Sequence, residues 1–257
     1  MTNAEIHQLL QGQLKQYHNS AFIESDPVCI PHRFTQQQDI EIAGFFAAIL
    51  AWGNRKSIIS SCTKLMQLMD NAPHAFVLGH SDKDLKRFEG FVHRTFLLDD
   101  LLYFLSFMQW HYQQHDSLEQ AFLQHVQIAA CNNVELPLVN FRDYFFSLPH
   151  LPRTHKHIAT PERGSACKRL NMFLRWMVRK DKHGIDFGIW RSIKPHQLVM
   201  PLDVHVSRVA HQLGFIDSPK ASWATAVQLT QRLSLLNPQD PVLYDYALFG
   251  LGVSGRL

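Results

Sequence analysis

Cysteine is scarce and scattered in this chain. The four cysteines, Cys29, Cys62, Cys131 and Cys167, stand far apart, and no C-x-x-C pair occurs. That spacing argues against a disulfide framework or a cysteine-held metal cluster. No secretory leader is visible, so the expectation is a reduced, cytoplasmic protein. Long apolar runs are missing too. The longest, Ile42 to Trp52, falls short of the ~20 residues that cross a membrane, so the protein is expected to be soluble, with no membrane partner. Low-complexity tracts, internal repeats and strand-like alternation are also absent from the sequence. This argues against disordered, repeat-built and sheet-built architectures.

What remains is a chain of 257 residues with a hydrophobic share of 46%, enough for one large domain or two small lobes with a real core. Its periodic segments have helical spacing, and the expected class is all-α. A first helix carries Ile6, Leu9, Leu10 and Leu14, with Asn3 as its cap. Residues 20–34 read as a loop. Thr35-Gln36-Gln37-Gln38 has capping-box form ahead of a central apolar helix that ends at Gly53-Asn54. The next helix places Ile58, Cys62, Leu65 and Met69 on one face. Residues 71–84 read as a connection. Asp99 or Asp100 caps a helix through Leu101, Leu102, Leu105 and Met108, and helices follow near 117–129 and 138–147. Proline and glycine then break the chain over 148–165. A helix over 165–179, a connection over 180–200, and helices starting near Asp203, Ser222 and Asp240-Pro241 complete the reading.

Charge is unevenly spread. Net charge is +3, yet Arg153 to Lys194 holds eleven Lys and Arg against three acids, so this window is +8 and the remainder −5. A basic face on an acidic body suits a polyanion; a solvated loop rich in lysine and arginine is the alternative. On helix 165–179, Cys167, Leu170, Leu174 and Met177 are spaced to face a core. Lys168, Met172, Arg175 and Arg179 form another stripe, which can hold phosphates at a helix start or simply face water. Asp203 precedes an apolar helical pattern and has the position of an N-cap, a role that also fixes its carboxylate.

Two runs carry a resemblance. Gly164-Ser165-Ala166-Cys167-Lys168-Arg169-Leu170-Asn171 resembles the hairpin exit of helix-hairpin-helix (HhH-GPD, endonuclease III-like) DNA glycosylases. Pro201-Leu202-Asp203-Val204-His205-Val206-Ser207-Arg208-Val209 resembles their V-D-T-H-V-x-R-V segment. The match in order and polarity runs from about residue 33 onward. The whole chain looks closest to a bacterial family known only as a domain of unknown function within that superfamily. The resemblance implies two helical lobes with a cleft between them, one built from 33–178 and the other from 1–32 plus 179–257.

It also implies roles. Lys168 matches the lysine that attacks the sugar C1′ and forms a Schiff base, and Asp203 the aspartate that stabilises the oxocarbenium-like sugar. The 161–166 turn matches the hairpin whose amides hold a phosphate. Candidate DNA contacts are Arg163, Gly164, Ser165, Ala166, Arg169, Arg175, Arg179, Asn54, His205 and Arg208. Trp52, Phe173, Trp176, Phe187 and Trp190 are candidates to stack on a flipped base, or else core aromatics. The implied partner is double-stranded DNA with a damaged or modified base, RNA being the other polyanion; the implied state is a monomer without metal or cofactor. Pro161-Glu162-Arg163-Gly164 stands where those relatives have L-P-G-x-G, and 180–200 is a basic insertion. The chain closes at Gly255-Arg256-Leu257, without the clustered cysteines of an iron–sulfur loop. Two other readings compete: a non-catalytic helix-hairpin-helix module, and a metal-dependent phosphohydrolase built on the sixteen histidines and His115-Asp116.

Overall fold

The computed structural model describes residues 3–254; Gly255, Arg256 and Leu257 lie outside them. In chain order the helices are α1 (Asn3–Tyr17), α2 (Ala21–Ser25), α3 (Gln37–Ile49), α4 (Arg55–Leu68), α5 (Pro73–Gly79), α6 (Asp82–Leu85), α7 (Leu98–Tyr112), α8 (Glu119–Leu123), α9 (Glu135–Phe145), α10 (Lys168–Val178), α11 (Val204–Gln212), α12 (Trp223–Ser234) and α13 (Asp245–Ser254). Among the described residues there is no strand, only isolated antiparallel bridges at His93–Phe96, Ser165–Ser222 and Lys180–Phe187. The class is all-α. None of the described helices is long and apolar enough to cross a membrane.

Local chemistry sets several helix starts. Asn54 caps α4 by accepting Lys56 N–H at 2.9 Å, and Ser222 caps α12 by accepting Thr225 N–H at 3.2 Å. Two expected caps are corrected. Gln36, not Thr35, precedes α3 and makes no side-chain cap. Leu97 precedes α7, while Asp100 at the third helical position reaches back to Leu97 N–H at 2.9 Å. Short helices α2, α5 and α6 stand where connections were expected, and α8 is far shorter than 117–129.

The chain divides into two compact units. One comprises Ile23–Val126 and Asn140–Ala159. Its centre is α3, buried on every side from Ile40 to Ile49. Glu41 on that helix accepts hydrogen bonds from Tyr112 Oη (2.8 Å), Ser117 Oγ (2.6 Å), Leu118 N–H (2.8 Å) and Gln37 Nε2 (3.0 Å). Four donors offset the cost of burying this carboxyl. Asp100 ties the 150s to α7, accepting from Arg153 (2.7 Å) and Thr154 Oγ1 (2.8 Å).

His111 is fully buried in this unit, its Nε2 3.0 Å from Ser117 O and its Nδ1 3.1 Å from Tyr144 Oη. Burial pushes the imidazole down to about 4. The fold therefore favours neutral His111, and this stability is complete above the unfolded value near 6.5 and lost as pH falls through about 4. Between pH 7 and pH 5 the loss is expected to be about 2 kcal/mol. Chemical denaturation of His111→Gln at both pH values should lack that share; an identical pH slope in the variant would count against it.

The other unit comprises Met1–Phe22, Gln127–Val139 and Thr160–Leu257. Here α13 packs against α1 and α11, and Gly250 allows the approach: a Cβ there would lie 2.2 Å from the Tyr17 ring. Gln197 holds 127–139 in place by donating to Ile128 O (2.8 Å) and Cys131 O (2.9 Å). These boundaries differ from the expected division at 178/179. The helix bearing Lys168 belongs to the unit that contains Asp203, because ion pairs and backbone hydrogen bonds tie α10 to residues 186–190, 203 and 240–245.

Candidate functional site

Lys168 is the first residue of α10, and Asp203 is the cap immediately before α11. They are 35 positions apart, and the fold brings Lys168 Nζ to 2.7 Å from Asp203 Oδ2. Asp203 Oδ1 accepts His205 N–H at 2.9 Å and Val206 N–H at 2.8 Å. Both carboxylate oxygens are thus engaged, one by a helix start and one by an ammonium. Burial pushes the Asp203 carboxyl up, but Lys168, the Val206 amide and His205 outweigh it, and the group lies below its usual range. The side chains keep 39% and 25% exposure, so the charged pair is open to a ligand.

The turn before α10 is built from the sequence outward. Pro161–Arg163 forms a single tight turn, closed by Gly164 at φ 72°, a left-handed conformation that glycine adopts without strain. Cys167 also takes a left-handed conformation at φ 48°, where a non-glycine residue is strained. The surroundings hold it there: its N–H meets Ser165 Oγ at 3.2 Å, and Asn171 Nδ2 donates to Ala166 O at 3.0 Å. Trp223 N–H fixes Gly164 O at 3.1 Å. No side chain caps α10, whose first internal bond runs from Asn171 N–H to Cys167 O.

The remaining candidates separate into groups. Arg163 and Gly164 are exposed, Ser165 and Arg169 half-buried, and Ala166 buried. Burial pushes the Arg169 guanidinium down from its ordinary value. His205 and Arg208 lie on the exposed side of α11, Arg208 Nη2 donating to His205 Nδ1 at 3.2 Å. Asn54 and Trp52 belong to the other unit. Trp52 is half-buried, with the Arg94 guanidinium 5.0 Å from its ring centre.

Arg175 and Arg179 are corrected. Both are buried, so neither offers its guanidinium to a phosphate, and only the Lys168 end of the basic stripe is open. Arg175 pairs with Asp245 and, at 3.4 Å, with Asp186. Arg179 pairs with Asp186 and holds Asp240 through two bonds of 2.7 and 2.8 Å. Tyr246 Oη donates to Asp186 at 3.0 Å. Phe173, Trp176 and Trp190 are corrected as well. They are 0%, 0% and 2% exposed, so they are core, and Phe187 is half-buried. The segment after α10 folds back on it, Phe187 N–H meeting Trp176 O (2.8 Å) and Trp190 N–H meeting Met177 O (2.9 Å), which satisfies carbonyls at the helix end.

Asp245 is the residue that sequence reading missed. Burial raises its carboxyl above the ordinary value, Arg175 and Lys168 pull it down, and Asp203 pushes it up. It therefore feels both members of the candidate pair and links them electrostatically to the buried arginines. Its only signal in the sequence is the helix start after Asp240-Pro241, which says nothing of its partners.

Histidine gives no comparable centre. Among the described residues, no group of three or more His, Cys, Asp or Glu is arranged to hold a metal ion, and His115 Nε2 lies 3.1 Å from Gln124 Nε2.

No curated protein and no solved structure matches the chain. One family model covers residues 26–254, and the chain belongs to that family, described as Protein of unknown function (DUF2400).

Proposed function

We propose that the Lys168–Asp203 pair is the catalytic centre of a base-excision DNA glycosylase with abasic-site lyase activity. The observation that carries this reading is the half-exposed contact of 2.7 Å between an amine and a carboxylate at two helix starts. Expelling a base leaves positive charge on the deoxyribose, and an ionised, fixed Asp203 stabilises that charge more than it stabilises the substrate. The Lys168 ammonium gives a proton to the departing base, and the neutral amine bonds to C1′. Opening of the sugar ring then leaves a protonated Schiff base. Phosphates of the DNA strand meet the 161–166 turn, Arg163 and the exposed His205–Arg208 face.

The test is borohydride reduction of wild-type protein mixed with labelled duplexes carrying an abasic site, 8-oxoguanine, uracil, an oxidised pyrimidine or an alkylated base. A covalent protein–DNA adduct on at least one duplex is expected.

A second reading, a helix-hairpin-helix module that binds nucleic acid without turnover, draws on the burial of Phe173, Trp176 and Trp190. None of the three offers its face to a flipped base. Under that reading Asp203→Asn leaves every biochemical property intact. Both readings expect affinity for duplex DNA to fall steeply between low and physiological salt; a flat titration removes the electrostatic basis of both.

A further inference from the structure

We propose that a cavity of about 520 Å³ between α1, the 179–183 segment and the 240–243 turn binds a small phosphorylated ligand of mononucleotide size. This does not rest on the glycosylase reading. The volume is in the range of small-molecule sites. Lys15, Lys180 and Lys182 line it, all exposed. Their ammonium groups make no hydrogen bond or ion pair to other described residues.

The cavity's acids, Asp181 and Asp240, offset only part of this positive charge. Asp240 is taken by Arg179 through bonds of 2.7 and 2.8 Å. Asp181 accepts His183 N–H at 2.6 Å and Asp186 N–H at 2.8 Å, and lies 3.5 Å from His18 Nε2. The lining thus carries four cations, Lys15, Arg179, Lys180 and Lys182, against Asp181 and Asp240, and this positive excess of compact lysine charges suits a phosphate dianion better than a planar carboxylate.

The wall is set firmly. The His18 ring stacks on Tyr246 at 4.5 Å and meets the edge of His183 at 4.7 Å. Leu14 and Leu243 add apolar surface for the rest of the ligand, and Gln11 and Asn19 add polar groups at its rim. A ligand that joins a doubly charged phosphate to a partly apolar body matches these lining residues.

Calorimetric titration of the full chain tests the site, using 2′-deoxyadenosine 5′-monophosphate, inorganic phosphate, and a short duplex lacking terminal phosphates. Wild type is expected to bind the nucleotide, and inorganic phosphate to compete. The variant Lys15→Ala/Lys180→Ala/Lys182→Ala should bind the nucleotide about tenfold or more weakly, with an unchanged unfolding midpoint because all three lysines are exposed. Nucleotide binding equal in wild type and variant overturns the proposal, as does absence of binding to both small probes at millimolar concentration. If only the duplex binds, and loses affinity in the variant, the lysines are a strand-backbone contact and the ligand site is again refuted.

Discussion

Asp203→Asn is expected to lower base release by a factor of about 10² or more while leaving affinity for duplex DNA unchanged. Asparagine is as good an N-cap as aspartate, so its side-chain oxygen can keep the contacts to His205 and Val206 N–H that Asp203 makes at 2.9 and 2.8 Å. What the substitution removes is the negative charge that Lys168 and the helix start hold in place. Asp203→Ala differs, since it should also lose about 1 kcal/mol of helix capping. Single-turnover base release, paired with a binding titration and a denaturation curve, separates the two effects. Equal turnover in wild type and Asp203→Asn would leave Asp203 as a cap and nothing more.

The second large effect concerns stability. Asp186 is buried among Arg175, Arg179 and the Tyr246 hydroxyl. Its replacement by alanine leaves two buried guanidinium groups short of a partner, and breaking a buried pair in this way costs about 3–5 kcal/mol. Arg179 retains Asp240 and Arg175 retains Asp245, so the lower part of that range is expected. Urea denaturation of Asp186→Ala against wild type measures it; a loss below about 1 kcal/mol would mean that the network adds little to the fold.

Sequence patterns made different parts of the molecule legible. The all-α class follows from helical spacing in α3, α4, α7 and α10–α12, where apolar positions repeat over several turns. The short helices α5 and α6, of seven and four residues, are below the length at which such a repeat declares itself. Asp203 was readable as a cap because capping is local. Its contact with Lys168 is not local, and only the family resemblance suggested it. Arg175 and Arg179 show the limit most clearly. Counted along the chain they belong to a basic window, but Asp186, Asp240 and Asp245 neutralise them inside the fold. Charge density in sequence reports surface charge only where the partners are near in sequence, and Asp240 and Asp245 come from more than sixty positions away.

Peptide mapping of the borohydride-trapped adduct identifies the amine that attacks the sugar. Wild-type protein is reduced on the reactive duplex, digested, and analysed by mass spectrometry for the residue that carries the sugar. A single modified residue, Lys168, is expected, and no adduct from Lys168→Ala. An adduct on another lysine that persists in Lys168→Ala, or no adduct on any duplex, would contradict it.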